Sequence, residues 1–398
     1  MKIAVVTPAC HFPSRGAVQQ DIYAMLSFLK KMGHTVSVFS LDQPGQDRAV
    51  LQSVRDEYQI DITVYLPSLK FITWLKTVIF QPIFFDRSAY AFYEAARSVD
   101  FIKYLDTYKP DLLISIGNYS WPLFSECKKR HIRFVIRSHN FEPLHYWEEL
   151  TVREKCNPIH WVKFLAKWWS ERKSVNVADR IAAISPREVN QYTTWQVGKA
   201  LLLPLVSLSG FRANHKVAAT KKPLDVFFLG ATYNVPFHRR GAEQLINHIA
   251  PEVARQAPGE FRFHVCGGKL PAYLVQACDD NSVVYEGFVP DLNAFFDRMD
   301  AGVFPVWSGR GMKQKIFESI ARGFPIVAPR ISLGEYPVVS GESALIADKP
   351  EDMVAMILRL RDPEVRARLS AGAAKFSQQW FSQEKFQEYF SALFDSTE

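Results

Sequence analysis

Apolar positions along the chain fall into two rhythms, short continuous runs and stripes with helical spacing, and the two alternate from the first residue onward. Met1-Lys2-Ile3-Ala4-Val5-Val6-Thr7-Pro8 is an apolar run stopped by a proline, which predicts a buried strand. After the loop Ala9-Cys10-His11-Phe12-Pro13-Ser14-Arg15-Gly16, positions Ile22, Met25, Leu26, Leu29 and Met32 recur every 3.6 residues and predict a helix that Gly33 closes. Thr35-Val36-Ser37-Val38-Phe39 is the next strand, completing a βαβ unit. The alternation continues with a helix over 89–108, a strand over 111–115, a helix over 120–130 and a strand over 133–136. A strand followed by a Ser-capped helix then covers 179–186.

From 204 to 223 no period persists and the stretch reads as a linker. The βα pattern then restarts with a strand over 225–230, a helix over about 240–255, strands over 261–268 and 283–285, a helix over 291–298 and a strand over 301–305. A glycine-bearing loop, a short helix from near Met312 and a buried strand follow, and 342–347 is the last strand, with helices from Pro350, Pro363 and Ser382. Two successive βα arrays predict an α/β protein of two doubly wound, Rossmann-like domains facing each other across a cleft. Their expected bounds are 1–204 and 224–380, with 205–223 between them and 381–398 as a terminal helix.

Two segments break the ordinary pattern. Residues 70–85 crowd Phe71, Ile72, Trp74, Leu75, Ile79 and Phe80 around Lys70, Lys76 and Pro82, and 160–173 interleaves Trp161, Phe164, Trp168 and Trp169 with Lys163, Lys167, Arg172 and Lys173. Such composition suits helices lying in a membrane interface, with aromatics at headgroup level and cations on lipid phosphate. It equally suits helices packed on the first domain.

Composition narrows the class. Hydrophobic residues at 48% and charged residues at 22% describe a globular chain, which excludes wholesale disorder. A net charge of +7 favours anionic partners. The basic residues are spread along the chain and form no run, which argues against nucleic acid. Five dispersed cysteines, without paired or metal-ligand spacing, fit a reducing compartment. The first strand is too brief for a signal segment and no apolar run reaches eighteen residues, so a cytoplasmic protein without a spanning helix is expected.

The chemistry concentrates in Ser308-Gly309-Arg310-Gly311-Met312-Lys313-Gln314-Lys315-Ile316-Phe317-Glu318. Gly309 and Gly311 permit the close backbone approach and positive φ of a phosphate-cradling turn. The amides and dipole of a helix starting near Met312 favour an anion, and Lys313 and Lys315 place two cations where cations are normally disfavoured. That charge makes sense if a ligand brings the compensating negative charge. Glu318, three residues after Lys315, shares its helix face and can accept from hydroxyls. An ordinary surface helix with an i,i+3 ion pair would show the same spacing. In the first domain, Gly16 sits in the first βα loop and His139 follows a strand end, where ligands of open α/β sheets bind. Neither is distinctive by itself. No Asp-x-Asp triplet occurs, so no bridging metal is expected.

These residues resemble the GT-B fold glycosyltransferases of family 4 (glycosyl transferases group 1). The resemblance rests on Lys31-Met32-Gly33-His34-Thr35-Val36, Arg137-Ser138-His139-Asn140-Phe141-Glu142 and Ala178-Asp179-Arg180-Ile181. Most specific is Lys315-Ile316-Phe317-Glu318 with Ala321-Arg322-Gly323-Phe324-Pro325-Ile326-Val327. It implies a retaining hexosyltransferase that takes a nucleotide sugar as co-substrate, needs no cofactor or metal, and serves bacterial surface polysaccharide or glycolipid assembly. Glycan or lipid-linked acceptors are implied, and the two basic aromatic segments at 70–85 and 160–173 point to a peripheral place on the anionic inner membrane face. Glu318 would accept from the nucleotide ribose, and Lys315 would meet the diphosphate together with Gly309, Gly311, Met312 and Lys313. Gly16 and Arg15 would approach the same diphosphate, Arg239 or Arg240 would hold phosphate, and His139 would contact the transferred sugar. Near Gln378-Gln379-Trp380-Phe381 the chain would cross back to the first domain.

Two positions depart from the family pattern: Arg310 stands for its first motif glutamate, and Ala231-Thr232 for an arginine after the strand. A nucleotide-sugar epimerase on the same fold would form product without acceptor. A non-catalytic membrane-surface adaptor would bind anionic vesicles but no sugar nucleotide.

Overall fold

A computed structural model of the chain describes residues 1–8, 16–41, 48–68, 70–217, 221–280, 283–309 and 311–395. Arg15, Arg310 and Cys10 lie outside the described residues. The chain divides into two compact units, 1–207 with 387–398, and 208–386.

Unit one is built on a parallel sheet with strands β1 (Lys2–Thr7), β2 (Thr35–Leu41), β3 (Asp61–Tyr65), β4 (Leu112–Ile116), β5 (Arg133–Ser138), β6 (Arg180–Ala183) and β7 (Ala200–Leu202). Among the described residues their order is β3-β2-β1-β4-β5-β6-β7. β1, β4 and β5 are covered by helices on both faces, which is why they read as unbroken apolar runs. Val5 pairs with Val38 on one side and Ile114 on the other. Successive crossovers thus leave β1 in opposite directions and open a crevice beyond the carboxyl ends of β1 and β4.

The helix expected over 89–108 is two helices, Arg87–Ala96 and Val99–Tyr108. Ser98 divides them because its hydroxyl accepts from the Phe101 amide at 3.1 Å, capping the second helix at the expense of continuing the first. Residues 387–398 belong to this unit, where Phe390 stacks on Phe28 at 5.4 Å. Arg133 donates to the carbonyls of Leu393 and Asp395 at 3.3 and 3.2 Å, satisfying acceptors that a helix end leaves open.

Unit two carries β8 (Leu224–Thr232), β9 (Phe261–Gly268), β10 (Val284–Gly287), β11 (Ala301–Val303), β12 (Ile326–Ala328) and β13 (Leu345–Ile346). They are parallel, in the order β10-β9-β8-β11-β12-β13, so the switch falls between β8 and β11. The helix expected from about 240 starts a turn earlier, at Pro236, whose fixed φ and missing amide suit a first helical position. Gly241 within it is fixed by packing, since a Cβ there would lie 2.9 Å from the carbonyl oxygen of Pro305. Among the described residues no helix is long and apolar enough to cross a membrane.

Candidate active site

The unit-two site grows out of the β8/β11 switch. β11 runs into Phe304 and Pro305, and the chain turns through Gly309 (φ 88°) and Gly311 (φ 76°), both in the left-handed region. The helix that follows spans Gln314–Ala321, so Lys313 is its cap, not a first-turn residue as expected. There is no side-chain cap and no acid in the first turn. The positive end of this helix therefore carries Lys313 and Lys315 and no acid within its first turn. Lys313 Nζ lies 4.2 Å from the ring centre of Phe237, the second residue of the Pro236–Gln244 helix. Beside it, burial pushes the His238 imidazole down to about 4, and the charges of Lys313 and Lys315 push the same way. His238 is thus a neutral group at neutral pH, set under two cations.

Glu318 is buried, 2% exposed, and holds two cations: Lys315 Nζ at 3.0 Å from one oxygen and Arg322 at 3.3 Å from the other. The Lys315–Glu318 contact is the i,i+3 ion pair that an ordinary helix would also show, and Arg322 is a third member that spacing did not include. Each carboxylate oxygen keeps a second lone pair, so Glu318 can still accept from a hydroxyl. Met312 is buried, with its sulfur 3.9 Å from the Tyr336 hydroxyl, and only its backbone is suited to a ligand. Arg240 is exposed and Arg239 half-buried inside the Pro236–Gln244 helix, so neither opens that helix as expected.

In unit one, Gly16 is the N-cap of the Ala17–Lys31 helix with extended backbone, φ −105°. A Cβ here would collide with the Gln19 side-chain oxygen, so the glycine makes room for that side chain and forms no left-handed turn. His139 follows β5 and is almost covered; its Nε2 lies 2.8 Å from Asp21 Oδ2. Arg137, fully buried, donates to the same oxygen through Nε at 3.0 Å and a terminal nitrogen at 2.9 Å. The Val206 amide donates to the other Asp21 oxygen at 2.5 Å. Burial pushes the Asp21 carboxyl up, but the Arg137 charge, the His139 hydrogen bond and the Val206 amide together hold it below the usual carboxylate range. Ionised Asp21 can only accept, so His139 carries a proton on Nε2 and donates it to the carboxylate.

A second buried network holds the residue after His139. The Asn140 carbonyl accepts from Asn118 Nδ2 at 3.0 Å and Ser138 Oγ at 3.1 Å. Asn118 and Tyr192 both reach the buried Glu171. Burial pushes the Glu171 carboxyl far up, beyond what the hydrogen bonds from Tyr192 and Asn118 lower it, with Glu142 raising it further. A raised folded value stabilises the fold below the unfolded value near 4.5 and withdraws that stability as pH rises through the folded one. Glu171→Gln, neutral at every pH, is therefore expected to flatten the fall in stability that thermal melts of the parent should show as pH rises above 4.5. An unchanged slope would place the titration elsewhere.

Sequence reasoning missed Asp21, Asn118, Glu171, Tyr192 and His238. Asp21 alone left a local sign: it lies four residues before Met25, on the apolar stripe of the first helix, where an acid needs a buried partner.

The family model described as Glycosyltransferase Family 4 matches residues 18–201, and the one described as Glycosyl transferases group 1 matches residues 223–362. No curated protein matches. Among solved structures, the sucrose-phosphate synthase of Thermosynechococcus elongatus is similar over 99% of this chain and 98% of its own, at 15% identity and TM-score 0.71. Anabaena HepE in complex with UDP and glucose is similar over 99% of both chains, at 13% identity and TM-score 0.64. A mutant of S. aureus TarM in complex with fondaparinux, alpha-GlcNAc-glycerol and UDP matches over 99% of this chain and 100% of its own, at 11% identity and TM-score 0.69. At these identities the structures establish a shared fold. With the two family models spanning most of both units, the chain belongs to the group 1, family 4 glycosyltransferases of GT-B fold.

Proposed function

We propose that the protein is a retaining, metal-independent glycosyltransferase that moves a hexose from a UDP-class nucleotide sugar to a glycan or lipid-linked acceptor in bacterial surface polysaccharide or glycolipid assembly. The observation that carries this reading is the start of the Gln314–Ala321 helix, with two left-handed glycines before it, Lys313 at its cap and Lys315 one turn from Glu318. Breaking a sugar–diphosphate bond builds negative charge on the leaving phosphate and positive charge on the anomeric carbon. Lys313, Lys315 and the turn amides stabilise the phosphate charge as it forms. Glu318 takes the ribose hydroxyls, His139 of unit one contacts the transferred sugar, and Gly16 admits the diphosphate close to backbone. Arg239 or Arg240 supplies a further phosphate contact. In place of a bound metal, the lysines take on the charge neutralisation that a cation performs elsewhere. The HepE and TarM complexes with UDP support the choice of base. The four described cysteines are all free, in keeping with work on the cytoplasmic face of a membrane.

A thermal-shift series with UDP, GDP and ADP tests the donor site: at about one hundred times its Kd, UDP should stabilise by about 2.7 kcal/mol. Equal response to none of the three would remove the nucleotide reading. Transfer should persist in excess chelator, whereas loss restored only by divalent metal would overturn metal independence. The anomeric proton coupling of the product, read by NMR, should match that of the donor.

A further inference from the structure

The Phe71–Phe80 helix of unit one has no buried residue, although seven of its ten residues are apolar. Trp74 and Val78 anchor its inner side against Phe84 and Trp121, and Trp74 Nε1 donates to the Phe84 carbonyl at 2.9 Å. The opposite side repeats Ile72, Leu75, Lys76 and Ile79 at i, i+3, i+4 and i+7; Ile72 and Ile79 are 69% and 68% exposed and Phe80, at the helix end, 84%. The Pro82–Phe85 turn packs against both this helix and the Pro158–Val177 helix, which makes the two helices neighbours. The longer helix carries an outward stripe of its own, Val162, Leu165 and Trp169 at i, i+3 and i+7. An apolar surface of this extent, on two adjoining helices, is unusual for a protein that meets only water.

Charge selects the occupant. Residues 70–80 contain Lys70 and Lys76 and no acid, and the long helix carries exposed Arg172 and Lys173 ahead of its last turn. Lys173 lies 3.7 Å over the Trp121 ring and Arg97 5.2 Å over the Tyr93 ring. Both side chains line a cavity of about 590 Å³ with Trp121, Phe84 and the Lys129–Glu126 ion pair, whose 2.6 Å contact neutralises the cavity's carboxylate and leaves Lys173 and Arg97 as its cations. A second copy of the chain would bring like charges together on this face, whereas a surface of lipid phosphates over hydrocarbon complements both its cations and its apolar stripe.

We propose that this face docks the protein on a bilayer rich in anionic lipid, with Ile72, Leu75, Ile79 and Phe80 entering the interface and a lipid phosphate meeting Lys173 and Arg97. The proposal deepens the lipid-linked acceptor reading, but its test uses no transfer step, so either can fail alone. The full chain is sedimented with phosphatidylcholine vesicles, with and without phosphatidylglycerol, at low and high salt. Binding should require the anionic lipid and weaken about tenfold or more in high salt. Ile72→Glu with Ile79→Glu, both at exposed positions, should lower vesicle affinity about tenfold or more while the thermal midpoint and UDP response stay at parent values. Binding of equal strength to both vesicle types, none to either, or parent-like binding by the variant would overturn the proposal. A concentration-dependent dimer that the same variant dissolves would overturn it too, assigning the face to a second copy.

Discussion

Lys315→Ala is expected to lower kcat by roughly 10²- to 10³-fold, the usual cost of removing one preorganised donor from a developing anion. Lys315 sits at the positive end of the Gln314–Ala321 helix with its side chain 19% exposed, and its contact with Glu318 aims the ammonium along the helix face. Removing it leaves Glu318 still paired with Arg322, so the buried carboxylate is not orphaned and the fold survives. Steady-state kinetics separate the possibilities. A loss confined to KM would mean that Lys315 binds the ground state only, and a parent rate would displace the site altogether. Lys315→Arg retains the charge with a longer, forked head and should recover part of the loss.

The largest effect on stability is expected at Asp21. With Arg137 and His139 sharing one of its oxygens and the Val206 amide on the other, Asp21→Asn strands a fully buried guanidinium. Removing one member of a buried pair costs about 3–5 kcal/mol. For a unit of this size that corresponds to a fall in Tm of about 2–4 °C per kcal/mol. Asp21→Leu with Arg137→Met, which removes both charges together, should be milder than Asp21→Asn alone. If the single and double variants melt together, the pair does not carry the stability. The carboxyl is held low in the fold, so its contribution is present above its unfolded value near 3.8 and is lost as pH falls through the lower folded value.

The parallel sheets were readable because strands buried on both faces, such as β1 and β5, are continuous apolar runs framed by helical stripes. β7, three residues long, and β3, half-open along its length, carry too little periodicity to be told from loop. Pro236 was a legible start signal for its helix, but the apolar stripe begins later and drew the predicted boundary to 240. In the candidate site, Lys315 and Glu318 were legible because their contact is local. The Asp21–Arg137 bond joins residues 116 apart, and Asn118 reaches Tyr192 across 74. Pairings of that kind leave no spacing to read; only the burial of a polar side chain betrays them.

The second sheet repeats the strand order of the first six strands of the first, so the polypeptide builds the same kind of crevice twice. Each crevice has its own ionic scaffold: Asp21 with Arg137 in one, Glu318 with Lys315 and Arg322 in the other. Changes within separate scaffolds that share no partners combine additively in free energy. Either unit can therefore accumulate substitutions around its own scaffold without drawing on the stability of the other.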